Sequence, residues 1–374
     1  MNPLNNKNII FVLGSLELGG SEKQAINLAT YLLNEQKCNV QFIGFSNPGK
    51  VAQICDQLKI PWRILENPLG YNSGLSRNIK LFNFLLEIRK TRPDILLPYT
   101  TTPNIACGLI WKFTGAKTCI WNQRDQGIES FDPIIGKKAL LRTPWFVSNS
   151  IGGKEYLTNN LGVDPEKVAI IHNGINLPSK KTPPERINHQ VVINCCMIGN
   201  LSQHKDHATL LKAWQFVVRH FKDKEIIPTL LLAGRFDSNE KSLRTLAEEL
   251  EILDHVSFLG QVDDIPGLLQ TVDIGVFSSR SEGSPNGVLE CMAQGLPVVG
   301  TDIPGIREAL GVDGIHFLAS TQDSIRFSEL VIELIEDREK RIRFGELNRE
   351  RVKKEFSNEK MLQETTSFLF KALQ

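Results

Sequence analysis

The densest group of residues able to do chemistry is SSRSEGSPNGVLECMAQGLPVVGTDIPG, residues 278–305, where an apolar run ends in small residues that lead straight into a helical pattern. Gly283, Ser284, Pro285, Asn286 and Gly287 form the turn. Gly287 lets another group come close to the backbone, and the first helical turn presents N–H donors at the positive end of the helix dipole, an arrangement suited to a diphosphate. Two acids, Glu282 and Glu290, bracket this turn with seven residues between them. A carboxylate accepts hydrogen bonds from a vicinal diol, so Glu290, read as lying in the first turn of the helix on its inward side, is placed for a nucleotide ribose. Glu282 is then left to face a donor sugar. Either acid alone would read as a charge that stabilises the helix dipole; the pair around a Gly/Pro/Asn turn reads as a ligand site.

Other chemistries find less support. The seven cysteines (Cys38, Cys55, Cys107, Cys119, Cys195, Cys196 and Cys291) form no CxxC pair and mostly lie in apolar runs. That argues against a zinc site or a disulfide framework and for a reducing cytoplasm. His204 and His207 stand three apart with no cysteine or third histidine nearby, so they read as loop and helix-start residues, with Asp206 as the N-cap of that helix. No Asp-x-Asp pair or His/acid cluster accompanies the turn, so the chemistry is expected to need no metal.

The elements that position these residues alternate from end to end. Strand candidates in the first half are residues 8–14, 39–45, 94–99, 117–122, 145–150 and 168–174, with helices including one opening at Ser21 and one near residues 74–90. Residues 178–190, PSKKTPPERINHQ, are proline-rich, charged and aperiodic, and read as a linker. The strand pattern restarts at 191–199, 228–234, 256–260, 273–279, 297–301 and 315–318. The expected fold is α/β: two Rossmann-like, doubly wound domains, 1–178 and 191–357 with linker 179–190 between, facing a cleft. A last helix near 358–374, apolar at Met361, Phe368, Leu369 and Leu373, should pack in a core.

A chain of 374 residues with 41% hydrophobic and 23% charged residues is composed like a folded protein of two domains. The apolar run from Ile9 to Leu13 is too short to span a bilayer and has no basic n-region or cleavage site, so it reads as a first buried strand. Net charge is +1, yet residues 1–178 hold 19 Lys+Arg against 13 Asp+Glu, and the remainder 24 against 29. A basic half beside an acidic one suits an anionic partner, such as a phospholipid surface or a lipid-pyrophosphate acceptor; the excess is spread along the sequence, as ordinary solvated charge would be. The basic, apolar stretch 134–146, IIGKKALLRTPWF, reads as a crossover helix leading into the next strand, with membrane contact as the other reading.

The segment EGSPNGVLECMAQGLPVVGTD resembles the E-x7-E signature region of the family 4 glycosyltransferases, retaining enzymes of the GT-B fold. GSLELGGSEKQAINLA (14–29), IIHNGIN (170–176), MIGNLSQHKDHATLLKAW (197–214), LLLAGR, HVSFLGQVDDIPGLL and DIGVFSSRSEG follow in the order and spacing of that family. The likeness covers nearly all of the C-terminal domain and scattered points of the N-terminal one. It implies a donor-binding C-terminal domain, an acceptor-binding N-terminal domain and a C-terminal helix that crosses back to the first.

The resemblance further implies that Lys205 is the cation on the donor diphosphate and Gly20 the close-approach glycine opposite it. The donor-binding set is then Gly20, Asn200, Lys205, Arg235, Ser284, Asn286, Gly287, Val288 and Glu290, and the catalytic set Glu282, Lys205 and Arg124. Two positions depart from the family pattern. Asn200 stands where members commonly carry a second cation, leaving one phosphate charge for Arg280 or Arg235. No histidine precedes His172, so the role many members give to a histidine at the end of KTCIWNQRD falls to Arg124 or Gln123. The implied activity is retaining transfer of a hexose or N-acetylhexosamine from a nucleotide sugar, UDP favoured over GDP, with no other cofactor. The acceptor would be a glycan or lipid-linked hydroxyl in polysaccharide, lipopolysaccharide or glycolipid assembly, with peripheral contact at the inner face of an anionic membrane and no nucleic acid. The rivals are a UDP-sugar 2-epimerase-like enzyme and a non-catalytic nucleotide-sugar sensor.

Overall fold

The computed structural model describes residues 3–46, 48–70, 74–127, 131–178, 191–236 and 239–374. The linker proposed at 179–190 lies outside the described residues. The chain divides into two compact units, Met1–Gly174 with Glu359–Gln374, and Ile175–Asn358. Ile175 joins the second unit because its N–H donates to Phe356 O at 2.9 Å and its carbonyl accepts from Asn358 N–H at 3.1 Å.

Among the described residues the first unit holds seven strands, β1 (Asn8–Leu13), β2 (Asn39–Gly44), β3 (Trp62–Ile64), β4 (Ile95–Pro98), β5 (Thr118–Gln123), β6 (Trp145–Ser148) and β7 (Val168–Ile170). All pair in parallel, in the order β3-β2-β1-β4-β5-β6-β7. The crossovers are α1 (Gly20–Asn34), α2 (Lys50–Leu58), α3 (Leu75–Lys90), α4 (Thr101–Thr114), α5 (Pro133–Arg142) and α6 (Ile151–Glu155). Alternation along β1 explains its unbroken apolar run: Ile9, Phe11 and Leu13 enter one core, while Ile10 and Val12 enter the core on the other face with Phe84 and Ile88 of α3. The sequence pattern missed β3, which is three residues long, and extended several strands past their last hydrogen-bonded residue.

The second unit holds β8 (Val191–Ile198), β9 (Ile226–Ala233), β10 (Val256–Gly260), β11 (Ile274–Phe277), β12 (Val298–Thr301) and β13 (Leu318–Ala319), parallel in the order β10-β9-β8-β11-β12-β13. Its helices are α7 (His207–Phe221), α8 (Glu240–Glu249), α9 (Ile265–Gln270), α10 (Asn286–Ala293), α11 (Pro304–Gly314), α12 (Ser324–Glu336) and α13 (Arg338–Glu355). The strand expected at 315–318 is mostly a 3-10 turn, Ile315–Phe317, with only Leu318 and Ala319 paired. The last helix, α14 (Asn358–Leu373), buries Met361 and Leu369 in the core of the first unit, with Phe368 and Leu373 packed beside them. Among the described residues no helix is long and apolar enough to cross a membrane.

Candidate active site

In the second unit the strand order reverses between β8 and β11, and in such sheets ligands sit beyond the carboxyl ends of the strands at that switch. The loops leaving β8 and β11 carry most of the residues singled out above, and they are stapled together. Ser278 Oγ lies 3.0 Å from the carbonyl oxygens of both Lys205 and Asp206. Arg280 N–H donates to His204 O at 2.7 Å, and the Arg280 guanidinium grips the Asp206 carboxylate at 3.0 and 3.1 Å. Asp206 does occupy the N-cap position of α7, but in a left-handed conformation (φ 50°) and without a side-chain cap bond. Its carboxylate goes to Arg280 and to the Thr209 hydroxyl instead, because a bidentate charge-assisted contact outweighs a cap. The Arg280 guanidinium, half exposed, is thus anchored on Asp206 beside the loop.

Lys205 and Glu282 are brought into direct contact: the Lys205 ammonium pairs with Glu282 Oε1, with only 17% and 12% of the two side chains exposed. The lysine stem runs along Gly199, whose missing Cβ would stand 3.3 Å from Lys205 Cε. Glu282 Oε1 also accepts from Ser279 Oγ at 2.7 Å. Ser279 escaped the sequence reading; a hydroxyl three residues before Glu282 in the same loop was the available signal. The loop is held from below, since Thr301 Oγ1 donates to Ser279 O, and a Cβ on Gly305 would lie 2.4 Å from Glu282 O.

Helix α10 starts at Asn286 behind Pro285, with no side-chain cap, so its first turn carries the dipole's positive end into the loop region. Glu290 stands further along the helix than expected, and Gly287 and Val288 also serve the packing. Glu290 is the fifth residue of α10, half-buried and past the first turn, which Asn286–Leu289 occupies. Gly287 is required by the protein itself: a Cβ there would stand 2.5 Å from Ile198 O and 3.0 Å from the Phe277 ring, so what comes close is β8. Val288 is fully buried, leaving only its backbone for a ligand, while Ser284 and Asn286 are half-buried beside it.

Asn200 does not stand in for a cation; its Oδ1 accepts from Arg235 N–H at 3.1 Å, and Leu201 N–H donates to Arg235 O at 3.0 Å. These bonds clasp the β8 and β9 loops and bring half-buried Arg235 next to Asn200. His204 is exposed with its ring 3.4 Å from Ser202 Oγ, whereas His207 is 2% exposed. Both His207 ring nitrogens lack hydrogen-bond partners, and burial, aided by the Lys205 charge, pulls the imidazole down to about 4. Among the described residues no group of three or more His, Cys, Asp or Glu could hold a metal ion.

Gly20 and Arg124 belong to the first unit. Gly20 is the exposed first residue of α1, behind Gly19 as N-cap. Arg124, one residue past β5, lies 4.4 Å over the Tyr99 ring and donates to Asn173 Oδ1 at 3.1 Å, while its buried Nε has no partner. Burial raises the Tyr99 phenol pKa, against the opposing Arg124 charge. Gln123, the other candidate, is 4% exposed and turned inward, bonded to Asp125 and accepting from Trp121 Nε1 at 3.0 Å. Arg124 also lines a cavity of about 20 Å³ with Gln24, Asn122 and His172. Tyr99 and Asn173, which orient the guanidinium, are distant in sequence and gave no local signal.

Two doubly wound parallel sheets, one with a lysine–carboxylate pair at its switch point ahead of an uncapped helix, define an α/β architecture of the GT-B kind. A family described as Glycosyltransferase Family 4 matches residues 18–178, and one described as Glycosyl transferases group 1 matches residues 193–337. Over 311 residues the chain is 23% identical to an uncharacterized glycosyltransferase of Haemophilus influenzae, covering 80% of this chain and 81% of that one. It is 24% identical over 313 residues to the N-acetylgalactosamine-N,N'-diacetylbacillosaminyl-diphospho-undecaprenol 4-alpha-N-acetylgalactosaminyltransferase of Campylobacter jejuni, covering 80% and 78% of the two. The crystal structure of Anabaena HepE in complex with UDP-glucose superposes with a TM-score of 0.81, covering 97% of this chain and 99% of that one at 20% identity. The chain is a glycosyltransferase of the family 4 type.

Proposed function

We propose that the protein transfers a sugar from a nucleotide diphosphate, UDP in preference to GDP, to an acceptor hydroxyl with the anomeric configuration kept. The setting is assembly of a bacterial polysaccharide, lipopolysaccharide or glycolipid on a lipid-linked or glycan acceptor. The observation that carries this reading is the Lys205–Glu282 pair, held between two stapled loops just before the N-terminus of α10. UDP-glucose in the HepE structure and a diphospho-undecaprenol acceptor in the name of the Campylobacter relative support the two substrate classes.

In this reading the second unit binds the donor. The α10 dipole and the backbone N–H groups near Gly287 meet the diphosphate, and Lys205 turns to it from Glu282. Arg235, clasped to Asn200, supplies the second positive charge. Glu290 takes the ribose hydroxyls, and Glu282, released by Lys205 and still anchored by Ser279, faces the sugar. The leaving diphosphate is stabilised without a metal. The first unit serves the acceptor and lends Gly20 as a close-approach glycine for the donor diphosphate, with Arg124 acting electrostatically, since a guanidinium cannot be a base at neutral pH. Retention then follows a front-face displacement. The acceptor oxygen bonds to the anomeric carbon as the carbon–phosphate oxygen bond breaks, and the departing phosphate takes the acceptor proton. NMR of the product tests it: retained configuration is expected, and an inverted product would require a protein base and overturn the mechanism.

A further inference from the structure

We infer that the outer faces of α3, α4 and α5 form a docking surface for the interface of a membrane containing anionic lipid. On α3, Leu75, Ile79, Phe82 and Leu86 are 76%, 52%, 58% and 42% exposed. Their spacing of four, three and four places them in one line along the helix, opposite Phe84 and Ile88, which face the core. On α5, Ile134 and Leu141 are 68% and 78% exposed, with exposed Lys137 and Lys138 between them on the same line. Helix α4 packs against both and shows Lys112 and Phe113 at its end.

The three helices are tied into one surface. Arg77 of α3 pairs with Asp132, the cap of α5, at 3.5 Å. The Trp111 indole of α4 donates to Arg142 O, and the Arg142 guanidinium to Leu109 O, both at 2.9 Å.

Charge identifies the occupant. These helices hold eight Lys and Arg (four on α3, one on α4, three on α5) against one acid of their own, Glu87, which pairs with Arg63 and Lys90, while Asp132 pairs with Arg77 and Glu66 with Lys80. With those three acids counted here, the rest of residues 1–178 carries 11 Lys+Arg and 10 Asp+Glu, so most of the basic excess of the first half, spread in sequence, is gathered in space on this surface. Apolar side chains in line with lysines whose long stems can snorkel are the composition of helices that lie in a bilayer interface. A second copy meeting it through the same face would bring the same cations against these and be repelled. The surface deepens the proposed work on a lipid-linked acceptor and rests on that reading, but not on any residue of the donor site.

The test is flotation of the full chain with vesicles of phosphatidylglycerol and phosphatidylethanolamine, and with phosphatidylcholine alone, at low and high salt. The parent is expected to bind the anionic vesicles and release them in high salt. Lys137→Glu with Lys138→Glu should weaken binding by about thirtyfold, and Ile79→Asp with Phe82→Asp by about tenfold or more. Calorimetry with UDP on the same variants keeps the two readings apart, since exposed ridge residues should leave nucleotide binding and thermal unfolding unchanged. Equal vesicle binding by parent and folded variants, binding indifferent to lipid charge, or a parent dimer that the Phe82 variant dissolves would each overturn the surface.

Discussion

Replacing Gly287 by alanine separates a packing requirement from a helix preference. In an exposed helix, Gly→Ala gains up to about 1 kcal/mol. At Gly287 the new methyl would stand 2.5 Å from Ile198 O and 3.0 Å from the Phe277 ring, about 1 Å inside ordinary contact. Ile198 ends β8, the strand paired on both sides by β9 and β11, so its carbonyl cannot retreat without disturbing the sheet. Overpacking of this kind costs about 1–3 kcal/mol, so the net effect should be destabilising, and α10 should shift away from β8. Urea unfolding gives the sign, and amide exchange of α10 gives the place. A Gly287→Ala protein as stable as the parent, with α10 exchange unchanged, would refute the packing argument and return Gly287 to a purely ligand-driven role.

His207 gives a pH dependence. Its folded pKa, near 4, lies below the ordinary 6.5, so the folded state holds it neutral while the unfolded chain takes up a proton as pH falls through 6.5. The resulting stability is present above that pH and is lost towards pH 4, by up to about 3 kcal/mol; urea midpoints across this range should fall less steeply in His207→Phe, and parallel slopes would contradict it. Arg124→Lys should lose much of the rate and Arg124→Ala more, with UDP affinity by calorimetry unchanged; full activity in both would make the Arg124 contacts with Tyr99 and Asn173 structural. Activity should survive EDTA, and inactivation reversed by magnesium or manganese would show that Lys205 and the α10 dipole do not suffice for the leaving diphosphate.

The alternation of strands and helices was legible because parallel strands buried on both faces read as unbroken apolar runs, as β1 and β4 do. Very short elements were not: β3 has too few residues for a pattern, and Ile315–Phe317 looks like a strand because a buried 3-10 turn is just as apolar. In the site, residue types were readable but their partners were not. Nothing local says that Asp206 abandons its cap for Arg280, that Asn200 bonds Arg235, or that Lys205 meets Glu282, because each contact joins loops separated by at least one strand and helix. The same holds for the clustered charge of α3, α4 and α5, which only the packing of neighbouring crossovers brings together.

Calorimetric titration of UDP into the full chain and its Lys205→Ala variant tests the central assignment most directly. Losing a charge-assisted contact to the diphosphate should cost about 1.5–3 kcal/mol, or about 10- to 150-fold in affinity, with the fold retained. Equal affinity in parent and variant would contradict the donor site built around Lys205.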